Sequence, residues 1–138
     1  MSANVNATNQ QPTLLLLARI FIAALFLVSG TRKLLAYAGT VGYFAKLGFP
    51  AADVVAVFAI VIELGAGLML ATGWRTRSAA WLLVVFVAVA TAMAHRFWEF
   101  EPAQFGNQLN HFLKNIAIIG GLFFVATFGP GRMALDRG

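Results

Sequence analysis

Four apolar runs constrain this chain more than anything else in it. Leu14–Gly30 is interrupted only by Arg19 and a closing Ser-Gly, Val54–Gly73 carries Glu63 as its one charge, and Ser78–Ala94 has none. Ile116–Phe128 is shorter, but read back through His111 it too reaches spanning length. A helix rising about 1.5 Å per residue crosses a hydrocarbon core of about 30 Å in roughly 20 residues, and each run with its flanks is that long. The runs do not alternate, and they are rich in Ala, Leu and Gly, which argues against membrane strands. Of the 138 residues, 60% are hydrophobic and 11% charged. Soluble domains devote about 25% to charge, so this chain lacks the polar surface to cover a globule in water. The expected fold is all-α, an integral membrane bundle of four transmembrane helices near 14–33, 51–73, 77–95 and 110–128.

The flanks are read the same way. "MSANVNATNQQPT" (1–13) is polar and uncharged and reads as a disordered tail; without a basic start or a small-x-small cleavage site, the first run is expected to be retained. Residues 129–138 read as a C-terminal tail, with "GPG" (129–131) stopping the fourth helix. In "GWRTR" (73–77), Gly73 is expected to end a helix in the left-handed conformation and Thr76 to cap the next. Pro50 suits the first turn of the second helix. "GTVGYFAKLG" (39–48) reads as a short interfacial helix with Val41, Phe44 and Leu47 on one side, and "RFWEFEPAQFGNQLN" (96–110) as an aromatic loop at headgroup level.

Composition also excludes functions. There is no cysteine, hence no disulfide, no thiolate metal site and no thiol redox chemistry within the chain. The net charge of +5 is spread over loops and ends, so the expected partner is the lipid bilayer and not nucleic acid. Arg75, Arg77, Arg132 and Arg137 fall on the side of the termini, and Arg32, Lys33, Lys46 and Arg96 on the other. That count is a tie. The short loop holding Arg75 and Arg77 weighs more, which favours both termini in the cytoplasm.

Ionisable groups within the spans are costly against lipid, about 2.5–3.5 kcal/mol each at mid-bilayer on insertion scales, so Arg19, Glu63 and Lys114 are expected to face the bundle interior. At 100° per residue, Arg19, Phe26, Gly30 and Lys33 share a face of the first helix, and Glu63, Gly67 and Leu70 share one of the second. Gly65 and Gly67 in "ELGAG", like Gly30, are candidates for close helix packing. In "HFLKN" (111–115), His111, Lys114 and Asn115 are spaced i, i+3, i+4 and are expected to point inward together. Lys33, His95, His111, Lys114 and Asn115 then lie at similar depth, with Glu63 below them and Arg19 entering from the opposite side. Two readings stand side by side. One is a buried ion pair, Glu63 with Lys114 or Arg19, that only fixes packing. The other is a pocket drawn from Arg19, Lys33, Glu63, His95, Trp98, His111, Lys114 and Asn115, whose surplus cations suit an anionic head group or a quinone carbonyl, with Glu63 as proton acceptor. A bis-histidine haem on His95 and His111 meets the objection that both sit at helix ends, and no metal site is expected.

The runs "ARIFIAALFLVSGTRKL", "IELGAG", "GWRTRSAA", "HRFW", "NHFLKNIAIIGG" and "FGPGRMALD", in this order from Leu14 to Asp136, resemble the DoxX family of small four-helix bacterial inner-membrane proteins. By that resemblance Arg19, Gly30, Lys33, Glu63, Gly67, Arg77, His95, Trp98, His111, Lys114 and Asn115 fall on the family's motif positions. The resemblance implies a membrane subunit or anchor of a quinone-linked redox system, or of one that answers thiol and oxidative stress. It would act with a quinone and a soluble redox enzyme, without an intrinsic cofactor and more as an accessory subunit than as an enzyme by itself. The alternatives are a non-catalytic scaffold and a small transporter acting as a homo-oligomer; the latter lacks the inverted repeat and broken helices that alternating access uses.

Overall fold

A computed structural model describes residues 2–136, with side chains from residue 11 onward. Five helices follow one another: α1 (Ser2–Leu35), α2 (Tyr37–Lys46), α3 (Ala52–Thr72), α4 (Thr76–Ala94) and α5 (Pro102–Phe128), with a 3-10 turn at Phe97–Glu99. Four stretches are long and apolar enough to span a membrane: Gln11–Leu35, Ala52–Thr72, Thr76–Glu99 and Pro102–Phe128. The expected four-helix membrane fold is therefore present, with α2 as the short fifth helix. Val41, Phe44 and Leu47 lie half-buried along one side of α2, as its spacing requires.

Around the bundle, α1 packs on α3, α3 on α4 and α4 on α5, whereas α1 and α5 barely touch. The core is built from Phe26, Leu70, Leu83 and Leu122 with Ala23, Ala66, Ala79, Ala80 and Ala126 between them. Lipid tails are as apolar as leucine, so helices in a membrane associate through close packing, which small residues permit. Large apolar side chains such as Phe21, Phe58, Val61 and Phe124 are exposed; against lipid, that outer surface costs nothing.

Helix boundaries depart from the sequence reading where hydropathy and backbone bonding part company. Residues 2–13, expected in a disordered N-terminal tail, are helical and belong to α1; Met1, residues 137–138 and the side chains before residue 11 lie outside the described residues. Likewise α5 starts at Pro102 and not at 110, so "RFWEFEPAQFGNQLN" is a loop only through Glu101. Proline at the first turn of a helix breaks no bond, and its fixed φ favours the start. Pro50 precedes the left-handed Ala51 that flanks α3, and so lies outside the helix.

The turn after α3 behaves as expected at Gly73, which has φ +73°; its N–H bonds Leu70 O and Trp74 N–H bonds Met69 O, a Schellman closure. Thr76 does not cap α4. Arg75, itself left-handed at φ +46°, takes the flanking position, and Thr76 N–H instead donates to Asp136 Oδ2 at 3.1 Å. Residues 129–136 do not dangle: Leu135 N–H and Asp136 N–H donate to Thr72 O and Gly73 O at 3.1 and 2.9 Å. They form a strap across the ends of α3 and α4.

Candidate functional site

The interior of the opposite end is organised by one ion pair. Lys33 Nζ lies 3.0 and 2.9 Å from the two carboxylate oxygens of Glu63 and donates to Ser29 Oγ at 2.6 Å, while Ser29 Oγ donates to Glu63 Oε1 at 3.0 Å. Ser29 and Lys33 are i, i+4 on α1, so one helix face presents both to α3. Gly30 makes this approach feasible, since a Cβ there would sit 2.9 Å from Leu64 Cγ and 3.1 Å from Glu63 Cβ. Gly67 does the same one step along, against Leu27, whereas Gly65 faces open space and packs nothing. Two residues beyond Glu63 on a helix is a 200° rotation, which turns Gly65 outward.

Neither Lys114 nor Arg19 partners Glu63. Lys114 is exposed: it lies about 100° around α5 from Asn115, and the helix is rotated so that Asn115 and His111 turn inward while Lys114 turns out. Asn115 Nδ2 donates to Thr91 Oγ1 at 2.9 Å, tying α5 to α4. Arg19 sits at the other end, buried, with Pro130 O, Met133 O (2.7 Å) and Ala71 O (3.5 Å) as acceptors. It clamps the strap and the end of α3, where cations suit unsatisfied carbonyls.

His95 closes α4 at the same end as Lys33. Its Nδ1 is 2.9 Å from Gln108 Oε1, and its ring stacks on His111 with centroids 5.0 Å apart and planes 16° from parallel. Parallel stacked imidazoles present faces to each other, not two nitrogens to one iron, so the bis-histidine haem reading gives way. Among the described residues no group of three or more His, Cys, Asp or Glu could hold a metal ion. Trp98 is exposed on the 3-10 turn, edge-on to Phe97 and Phe112. It lines neither of the cavities around Glu63, and its exposure suits an interfacial aromatic anchor.

Two of the cavities at this end share Glu63. The larger, about 320 Å³, lies between α2, α3 and α4 and is walled by Phe44, Phe49, Phe58 and Met93, with Lys33, Glu63 and His95 at its polar end. The smaller, about 200 Å³, is central and contains Phe26, Ser29, Glu63, His95 and Asn115. Glu63, Phe86, Ala90 and His95 line both. The larger cavity is thus an apolar chamber ending in a cation, a carboxylate and an imidazole. Phe58 and Val89 on its wall are exposed on the lipid side. Tyr43 also lines it; burial pushes its phenol above the ordinary value, which keeps it a neutral hydroxyl at ordinary pH.

Of the sequence candidates, Lys33, Glu63, His95 and Asn115 converge on these cavities, and His111 joins through His95. Arg19, Trp98 and Lys114 do not. Sequence reasoning missed Ser29, Thr91 and the aromatics of α2. Ser29 carried a signal, being four residues before Lys33; Thr91 is buried and donates to Val87 O at 2.7 Å, a habit that hides hydroxyls within helices.

Comparison with known proteins adds an identity to this geometry. A family model described as DoxX matches residues 14–96, a stretch that holds Arg19, Lys33, Glu63 and His95. The chain is 34% identical over 127 residues to inner membrane protein YphA of Escherichia coli (strain K12), covering 92% of this chain and 91% of that protein. It is 35% identical over 122 residues to inner membrane protein YqjF of the same organism, covering 88% of each. An uncharacterized membrane protein of Mycobacterium tuberculosis, Rv3486, is 27% identical over 134 residues, covering 91% of this chain and 81% of that one. No solved structure matches the chain.

Proposed function

From the premise that the chain belongs to the DoxX family and is a multi-pass inner-membrane protein, we propose that it is an accessory membrane subunit or anchor of a redox system, binding a quinone in the larger cavity. The observation that carries this reading is the chamber itself: apolar and aromatic along its length, open toward lipid past Phe58 and Val89, and polar where Lys33, Glu63 and His95 line it. Ligand sites are typically of this kind, mostly apolar with a few convergent polar groups. Tyr43 offers a hydroxyl donor to a carbonyl oxygen, Lys33 would offer one on releasing Ser29, and Glu63 accepts a proton. A quinone would supply two-electron, two-proton chemistry there, which the cysteine-free chain has no thiol to perform. The electron donor would be a soluble redox enzyme at the membrane surface. The same proposal puts both termini in the cytoplasm, on the strength of Arg75 and Arg77 in the short turn; reporter fusions in the 74–77 turn and near Ala103 test it, with cytoplasmic and external readings respectively expected, and reversed readings invert the assignment.

Native mass spectrometry of protein gently extracted from its membrane tests the ligand. A bound quinone is expected, with retention lost in Glu63→Gln and His95→Ala and kept in Lys114→Ala; folded protein with no quinone under any condition rejects it. One observation favours a second reading, a non-catalytic scaffold. The Lys33 ammonium is already held by Ser29 and both Glu63 oxygens, as a purely structural pair would be. Under that reading the same variants change stability, and no ligand mass appears.

A further inference from the structure

Away from the Glu63 site, on the side of the strap, α1 and α5 stand apart. Between them runs a groove of about 620 Å³, walled by Leu14, Ala18 and Ile22 from α1 and by Gly121, Phe124 and Phe128 from α5. Arg19 also lines it. That side chain is 2% exposed; its terminal nitrogens meet carbonyls, and its Nε–H is buried without a partner. No carboxylate among the described residues lies within ion-pairing distance of it. Carbonyl dipoles satisfy hydrogen bonds without neutralising charge, so a whole positive charge is held beside an apolar groove. Gly129, also on the groove wall, brings a second cation: a Cβ there would lie 3.2 Å from Arg77 Nε.

We propose that this groove binds an anionic phospholipid, its phosphate at Arg19 and Arg77 and one acyl chain lying between α1 and α5. The depth fits. Arg19 reaches the carbonyl of Ala71, at the last turn of α3, and that of Pro130, just past α5, so it marks the level where spans end and head groups begin. Toward the bilayer centre the groove passes Ile22 and Gly121 and is wholly apolar, the surroundings an acyl chain needs. Basic pockets between membrane helices recognise anionic head groups by this combination. A zwitterionic lipid brings its own cation and leaves the charge of Arg19 unanswered. Because the groove lies at the opposite end from Glu63, the proposal stands or falls independently of quinone binding.

Titration of the purified protein in native mass spectrometry, with phosphatidylglycerol, phosphatidylcholine of the same chains and inorganic phosphate, tests it. Phosphatidylglycerol should be retained about tenfold better than phosphatidylcholine, in line with a charge-assisted contact, and inorganic phosphate should not bind. Ala18→Trp fills the groove, and Arg77→Gln removes the cation at its mouth; both residues are exposed, so unfolding in lipid-free detergent should match the parent. Each should cut phosphatidylglycerol retention about tenfold. Equal retention of the two lipids, unchanged retention in Ala18→Trp, or binding of inorganic phosphate as strong as that of the lipid would overturn the proposal.

Discussion

Arg19 and Lys33 are both cations carried inward by α1, yet the two ends of the bundle hold them in different ways. Arg19 is held by backbone carbonyls of Ala71, Pro130 and Met133; Lys33 is held by the side chains of Ser29 and Glu63. Backbone acceptors cannot be titrated or exchanged, and they bind the cation to the course of the chain. Side-chain acceptors can be regrouped around a guest, and only at the Lys33 end do cavities adjoin the pair and share its carboxylate. One end is a clasp beside an apolar groove, the other a site whose own ligating side chains can regroup. Charge in a membrane interior is therefore not by itself a mark of function; what the charge is bonded to decides.

Removing the clasp should produce the largest effect. Arg19→Met leaves three carbonyls without their donor, and the expected cost is about 3–5 kcal/mol in reversible denaturation from detergent. A variant as stable as the parent would erase the contrast between the ends. Gly73→Ala comes next. Its backbone is left-handed, and a Cβ would collide with Ala134 on the strap; a loss of about 1–3 kcal/mol is expected, together with faster proteolysis between residues 130 and 136. Cleavage unchanged from the parent would mean that the strap does not depend on that contact.

The Lys33 end should respond differently. Replacing both partners, Lys33→Met with Glu63→Gln, removes the charges without orphaning either, so stability should stay within about 1 kcal/mol of the parent while quinone retention falls. Loss of fold in the double variant would make this pair a second clasp. The smallest effect is expected at Lys114→Ala, within about 0.5 kcal/mol and without change in retention. A marked loss of binding there would place the site on the outer face of α5 instead.

Spans, interfacial helix and inward face of α1 were legible in the residues, because hydropathy and helical period report what lies against lipid and what does not. Gly30, Lys33, Glu63 and Gly67 all follow from that period. Partner choice does not. Glu63 pairs with Lys33 because α1 is the closest neighbour of α3, and no single-helix pattern encodes which helices adjoin. Lys114 fails for a related reason: three polar residues spread over about 100° of α5 cannot all face inward, and packing against α4 selected Asn115 and His111. Gly65 looked equivalent to Gly67 until rotation separated them. Arg19 was placed at the correct end, but its acceptors are main-chain oxygens, two of them from residues that read as a tail, and main-chain oxygens leave no trace in side-chain spelling.

The strap has a consequence for the order in which the protein is made. Thr72, Gly73 and Thr76 leave the ribosome some sixty residues before Leu135 and Asp136, which supply their hydrogen-bond partners. Throughout the insertion of α4 and α5, the turn between α3 and α4 must hold those backbone groups against water, and Arg19 must wait for the carbonyls of Pro130 and Met133. A nascent chain halted just after α5 can already possess all four spans and the Lys33–Glu63 pair, yet its opposite end remains unfastened. Emergence of residues 130–136, and not insertion of the last helix, is the moment at which this bundle closes.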